Sequence, residues 1–331
     1  MQLTQKKSRR GDLLTAAAVA MLLAVMAALL YTGSLTRQVT NMLIPTAVYI
    51  VMAVSLNLVV GLLGELSLGH AGFMSVGLFS GCLVAIALTN TALPLMVRLP
   101  VSMLAGGLTA AVFGLLVGLP TLRLRGDYLA IVTLACGEII KNIITNLRVT
   151  GGALGLNTSA IYAGAKELLP YGAALVLLTV AVMLNLKRSK YGRAIMAIRD
   201  NRIAAESVGL SVTRYKLAVF VIAAFFAGCA GVLYGHSLAN IKAAAFDYNM
   251  SIEILVIVVL GGMGSVPGSV VSAIVLTVLP EALCEVADYR MLVYAVVLIL
   301  VMQATNNPAM KRFFGAACKS LTPKRKERAA L

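Results

Sequence analysis

Residues 187–216 read KRSKYGRAIMAIRDNRIAAESVGLSVTRYK, a polar island in a chain that is otherwise close to hydrocarbon. Eight bases (Lys187, Arg188, Lys190, Arg193, Arg199, Arg202, Arg214 and Lys216) stand there against two acids, Asp200 and Glu206. A segment so charged cannot lie in lipid, and in a membrane protein its sign places it on the cytoplasmic side. Within it, IAAESVG at 203–209 reads as a short helical run stopped by a glycine, a compact element that another cytoplasmic protein can grip.

Working outward, the rest of the 331 residues bears the membrane reading out: 60% are hydrophobic and only 12% charged, where a soluble domain carries about 25%. Apolar runs follow one another, each near the ~20 residues that cross a bilayer as a helix. The expected fold is all-α, a polytopic integral membrane protein of about ten transmembrane helices. The spans are placed near 13–31, 41–60, 70–90, 101–120, 128–147, 170–186, 216–236, 251–262, 268–284 and 290–306. That divides the chain into a basic tail at 1–12, a membrane domain at 13–306 containing the cytoplasmic loop 187–215, and a basic tail at 307–331. The first apolar run is too long for a signal-peptide core, so it is read as a retained helix.

The formal net charge is +15, which by itself would suit nucleic acid. Its distribution excludes that partner and favours topology signals and anionic lipid, because the bases gather in short segments between apolar runs. With the N-terminus inside, 21 of the 28 Lys and Arg fall in cytoplasmic segments and six in outer ones, with Lys141 inside a span. The asymmetry supports cytoplasmic ends and an even number of crossings. Arg123, Arg125 and Asp127 close a short inner loop as topology anchors.

Three glycine-rich breaks interrupt the apolar pattern. They contain Gly61, Gly64, Ser67, Gly69, His70 and Gly72; then Gly151, Gly152 and Gly155; then Gly261, Gly262 and Gly264. Irregular backbone at membrane depth requires a cover of protein or water, so such breaks either line a pathway or serve as connecting turns. Asn57 is a polar group inside a span and is expected to bond an adjacent helix. Glu138 lies deep in the fifth span with Lys141 and Asn142 on its helical face. It is either a polar lining of a transport route or half of a local Glu–Lys pair. His70 and Glu65, five residues apart, point to different faces of a continuous helix, which favours a structural hydrogen bond for His70 over a proton relay. The pairs Gly77/Gly81, Gly114/Gly118 and Gly231/Gly235 let helix backbones approach closely.

Five scattered cysteines (Cys82, Cys136, Cys229, Cys284 and Cys318) form neither C-x-x-C nor any metal-ligand spacing with histidine. No phosphate-cradling, zinc-protease or nucleophile-elbow motif is present. The chain is therefore expected to have no catalytic residues, no metal site and no cofactor.

Five ordered blocks, SLNLVVGLLGELSLGHAGF, RLRGDYLAIVTLACGEII, TGGALGL, YGRAIMAIRDNRIAAESVGLSVTRYKLAVF and VLGGMGSVPGS, run from about residue 40 to 305. Together they resemble the permease subunits of ABC importers for branched-chain amino acids, of the LivM type. The resemblance implies the ABC importer permease fold, a bacterial inner membrane, and translocation of hydrophobic amino acids. It also implies three kinds of partner: a homologous second permease, two cytoplasmic ATPase subunits and a periplasmic or lipid-anchored binding protein. ATP hydrolysis would lie on the partners. The island would be the loop presented to the ATPases, with Arg199, Asp200, Arg202, Ala204, Ala205, Glu206 and Gly209 as its coupling residues. Importer permeases carry E-A-A-x-x-x-G there, whereas this chain has Ile203 in place of the leading glutamate. Ala204 and Ala205 would keep one helix face shallow enough to seat in a groove. A related importer for urea or short amides is the alternative, and an ion-coupled secondary transporter is a more distant one.

Overall fold

In a computed structural model of the chain, the described residues are 17–28, 30, 32, 36–89, 94–124 and 126–282. The first compact unit reaches Val278, and the second begins at Leu279, with only residues 279–282 described.

The helices are α1 (Ala17–Ala28), α2 (Arg37–Asn57), α3 (His70–Thr89), α4 (Leu95–Thr121), α5 (Asp127–Asn146), α6 (Ala165–Arg188), α7 (Lys190–Asp200), α8 (Arg202–Ser207), α9 (Val212–His236), α10 (Tyr248–Gly261) and α11 (Val266–Ala282). Two short strands, β1 (Leu156–Asn157) and β2 (Asn240–Ile241), pair antiparallel. The expected all-α, polytopic architecture is the one observed. Among the described residues seven segments are long and apolar enough to cross a membrane, and two shorter apolar helices, Ala17–Ala28 and Val266–Pro280, accompany them. Nine of the ten expected spans thus coincide with helices. The tenth, at 290–306, lies outside the described residues, as do both tails, Arg125, Cys284 and Cys318.

Two features depart from the expected outline. Residues 190–200, read as part of a polar loop, form a full helix, because Ile195 and Ile198 at helical spacing give it a buried face. Lys216, counted among the loop bases, lies one turn inside α9 and is buried.

The centre of the bundle is a glycine seam among α3, α4 and α9. A methyl group placed on Gly77 would collide with the backbone of Gly228, one on Gly106 with the carbonyl of Gly77, and one on Gly231 with the carbonyl of Met74. Between apolar helices in lipid, close backbone approach supplies the attraction that water supplies elsewhere. All three small-residue pairs sit in this seam, Gly114 and Gly118 of α4 facing Ala224, Leu217 and Phe220 of α9. Overpacking costs about 1–3 kcal/mol per site. Gly77→Leu is therefore expected to lower the melting temperature in detergent by several degrees. Gly164→Ala, whose added methyl group meets nothing within 4 Å, should leave it unchanged; equal melting temperatures for the two variants would contradict the seam.

α10 is 14 residues long and, with the short turn before it, makes up one of the seven long apolar segments, Ala243–Gly261. The hydroxyl of Ser251 in its first turn accepts a hydrogen bond from the amide of Ala71 at 3.2 Å. This helix therefore starts inside the bundle, beside the first turn of α3.

Candidate functional site

The third glycine break lies directly against the first. α2 does not stop at Asn57 but widens into a π-helix, Leu58–Leu63, capped by Gly64 at φ 78°. Such widened turns occur mostly at functional sites. The widening brings Gly61 so near Gly264 that a Cβ on Gly61 would overlap both the Gly264 amide and the Asn57 side chain.

Asn57 joins the two breaks. Its Oδ1 accepts from the Gly264 amide at 2.7 Å, while its Nδ2 donates to the Ser265 carbonyl at 3.2 Å and to Ser269 Oγ at 2.9 Å. The side chain is 0% exposed, so every bond is made away from water. The expectation that Asn57 bonds a neighbouring segment is met by these three contacts.

Both breaks are the C-terminal ends of helices, α2 with its π-turn and α10. Such ends carry unpaired carbonyls and the negative end of the helix dipole. Each receives a cation from the polar island. Arg199 Nη1 donates to the Gly61 carbonyl at 3.1 Å, and Lys187 Nζ to the Gly264 carbonyl at 2.8 Å. The Arg199 stem covers Gly64, where a Cβ would meet Arg199 Cγ at 2.5 Å. A third base, Lys216, forms an ion pair with Glu65 in the first break, with side-chain exposures of 6% and 14%. These inward contacts were invisible as sequence, where island charge reads as solvated.

Elsewhere in the first break, Ser67 is buried and its Oγ has no partner among the described residues. Gly69 lies against the Thr133 carbonyl and Gly72 against Gly137 of α5. The Leu68 amide donates to Thr133 Oγ1 at 3.1 Å, so non-helical backbone is covered by protein. His70 Nε2 lies 2.8 Å from Ser55 Oγ, and that hydroxyl donates to the Met52 carbonyl at 3.0 Å. The hydroxyl proton being used there, the histidine is the donor, which makes this a structural bond between the two ends of the break.

The second break is elsewhere. Gly151, Gly152 and Gly155 have φ of 78°, 60° and 90°, and a Cβ on Gly155 would press on the Ile241 carbonyl. They turn the chain after α5 and seat β1 against β2. In the third break, Gly261 packs against Gly268, and Gly262 has φ 85°.

Glu138 forms the ion pair with Lys141 and also caps α10, its Oε1 accepting from the Tyr248 amide at 2.9 Å. A carboxylate is favourable at that positive helix end, and the sequence offered no signal for it. Asn142 is exposed, and with Ile139, Ile143, Asn146 and Leu147 it lines a concavity of about 470 Å³.

The island folds as a hairpin of α7 and α8. Ser189 Oγ caps α7 by accepting from the Gly192 amide at 3.0 Å, and Asn201 Oδ1 caps α8 by accepting from Ala204 at 3.1 Å. Gly209, with φ 83°, ends it. Ile198, Ala205 and Val212 form a small apolar core of its own. Ala205 therefore faces inward, and of the two alanines read as a shallow outer face only Ala204 is exposed. What α8 presents outward is Ile203 at 81% and Val208 at 75% exposure. The rim charges pair locally: Arg199 with Asp200 at 2.9 Å and Arg202 with Glu206 at 2.8 Å.

Among the described residues, no group of three His, Cys, Asp or Glu could hold a metal ion. The polar groups of the bundle fix backbone, and the backbone they fix is broken helix. Broken helices clamped within a bundle of many apolar spans mark a polytopic helical membrane protein of the kind that includes transporters. Residues 38–302 match the family described as the branched-chain amino acid transport system permease component, and the chain belongs to that family. It is 36% identical over 296 residues to the high-affinity branched-chain amino acid transport system permease protein LivM of Salmonella typhimurium, covering 78% of this chain and 66% of that protein. Against LivM of Escherichia coli the identity is 37% over 290 residues, with the same coverages. The permease protein LivH of Salmonella typhimurium is 31% identical over 126 residues, 37% of this chain and 40% of that one. The chain thus spans just under two thirds of the LivM relatives' length. No solved structure matches it.

Proposed function

We propose that this chain is a membrane-spanning permease subunit of an ATP-driven importer for branched-chain amino acids. It works in the bacterial inner membrane with a homologous second permease, two cytoplasmic ATPase subunits and an external binding protein. ATP is hydrolysed on the partners, and this chain turns their closure into movement of a pathway. The observation that carries the reading is the α7–α8 hairpin. It lies outside the seven long apolar segments of the described residues, packs Ile198 and Ala205 with Val212 at the start of α9, and still offers Ile203 and Val208 to solvent. Exposed branched side chains ringed by paired charges form an apolar anchor with a polar rim, the anatomy of a docking surface. The basic sign of the segment supports a cytoplasmic position for it.

The pathway itself would run along α5. Its exposed face carries Asn142 and Asn146 among isoleucines, whereas that of α4 is apolar throughout, with Leu104, Leu108, Val112, Leu116 and Leu119. Exposed amides in the last turn of a span suit a second permease or a wet route better than lipid. Similarity to both LivM and LivH supports pairing with such a homologue.

Ile203→Asp tests the coupling role without touching the core, since the side chain is exposed. In vesicles holding the whole complex, ATP-dependent leucine uptake is expected to fall at least about tenfold, as when a central anchor of an interface is lost, with the permease still inserted and assembled with its homologue. Full uptake by this variant would remove the docking role.

A further inference from the structure

The outward face of the hairpin serves the partners, but its inward face has a second use. We infer that Lys187 and Arg199 are positioning residues, which lock the α6–α7 corner, from which the hairpin extends, to both glycine breaks so that one displacement moves both. The inference rests on the proposed importer role and names the joint through which that role would act.

Three observations carry it. Each cation donates to a carbonyl within a glycine break, Arg199 to Gly61 in the π-turn that ends α2 and Lys187 to Gly264 in the turn between α10 and α11, 77 residues beyond it in the chain. Asn57 ties the two receiving segments together by three bonds. And the two cations lie at either end of α7, Lys187 in the last turn of α6 with only Arg188 and Ser189 before α7, and Arg199 near the end of α7, so the α6–α7 corner is held at two points. Two attachments and a rigid bridge make one body: a rotation of α7 shifts Gly61 and Gly264 together. A single tether would let the hairpin swing while the breaks stayed still. The Asp200 carboxylate, accepting from Arg199 Nε and Nη2 at 3.0 and 2.9 Å, aims the remaining nitrogen at Gly61.

The test compares two rates in the same vesicles: ATP hydrolysis stimulated by the binding protein, and ATP-dependent leucine uptake. Methionine keeps the apolar stem of each side chain and removes the cation. For Lys187→Met, and separately for Arg199→Met, hydrolysis is expected to stay within about twofold. Uptake per ATP should fall at least about tenfold, the factor that follows from losing a charge-assisted hydrogen bond. Lys187→Arg, which restores a donor, should recover most of that ratio. Where a methionine variant does not assemble, Lys187→Gln and Arg199→Gln are read by the same ratio. An unchanged ratio overturns the inference, even if both rates fall together, because a merely structural residue lowers both alike. Ile203→Asp separates the two levels: uptake lost there with the ratio intact in the methionine variants sinks the lock alone, whereas uptake retained there sinks the docking role on which it rests.

Discussion

Asn57→Leu is expected to be among the most damaging single changes in this protein. Leucine keeps the branched outline but is larger and makes no hydrogen bond, so lost bonds and overpacking both act against the folded state. The Gly264 amide is left without its acceptor, and Ser265 and Ser269 lose a donor between them. Each buried group left unpaired costs about 1–3 kcal/mol, so the two breaks would be separated at a cost of about 2–5 kcal/mol. That is a large share of a stability of order 5–15 kcal/mol. The melting temperature in detergent should drop markedly and uptake should vanish. Gly61→Ala reaches the same joint from the other side, since its methyl group would overlap Asn57 Oδ1 and the Gly264 amide. Wild-type melting behaviour of Asn57→Leu would show that these bonds do not hold the breaks together.

The second large effect concerns Glu65 and Lys216. Removing one partner of a buried ion pair leaves the other charge uncompensated, at about 3–5 kcal/mol. Replacing both by apolar groups of similar size is often neutral. Lys216→Met is therefore expected to destabilise strongly, since Glu65 keeps only 14% of its side chain in solvent. The double variant with Glu65→Leu should regain most of the loss. A thermal-shift double-mutant cycle measures the difference, and simple additivity of the two single changes would mean that no interaction joins them. The pair fastens the start of α9 to the first glycine break, so the single variant should also lower uptake.

Much of the architecture could be read from the residues alone. Apolar runs as long as a bilayer is thick leave little choice but helices, because lipid offers backbone amides no other partner. The expected spans at 70–90 and 128–147 meet α3 and α5 almost residue for residue. Helix α7 was missed because eleven residues holding three buried positions do not stand out against so much nearby charge. The strands β1 and β2, two residues each, carry no periodic signal.

The candidate site was only partly legible. Glycine clusters announce that backbone is irregular, and a lone asparagine in a span announces a hydrogen bond, yet neither names its partner. Asn57 and Gly264 are 207 residues apart, and nothing in local sequence joins them. The Glu138–Lys141 pair was readable, being three residues apart on one helix; its cap on α10 was not, since Tyr248 lies 110 residues away. Ala205 was misjudged for a similar reason. On a six-residue helix the inward side is chosen by Ile198 and Val212 from neighbouring helices, which the local pattern does not contain.

The sequence by itself determined that this is a helical membrane protein, which face of it is charged, and where its backbone breaks, because each follows from short-range chemistry: hydropathy, charge and the freedom of glycine. Only the tertiary structure decided that the first and third breaks meet while the second stands apart, and that three bases of the polar island turn inward to hold them. The physical reason is that a carbonyl at a helix end accepts a hydrogen bond from whichever donor the fold brings within about 3 Å, and that choice is made by packing between segments far apart in the chain.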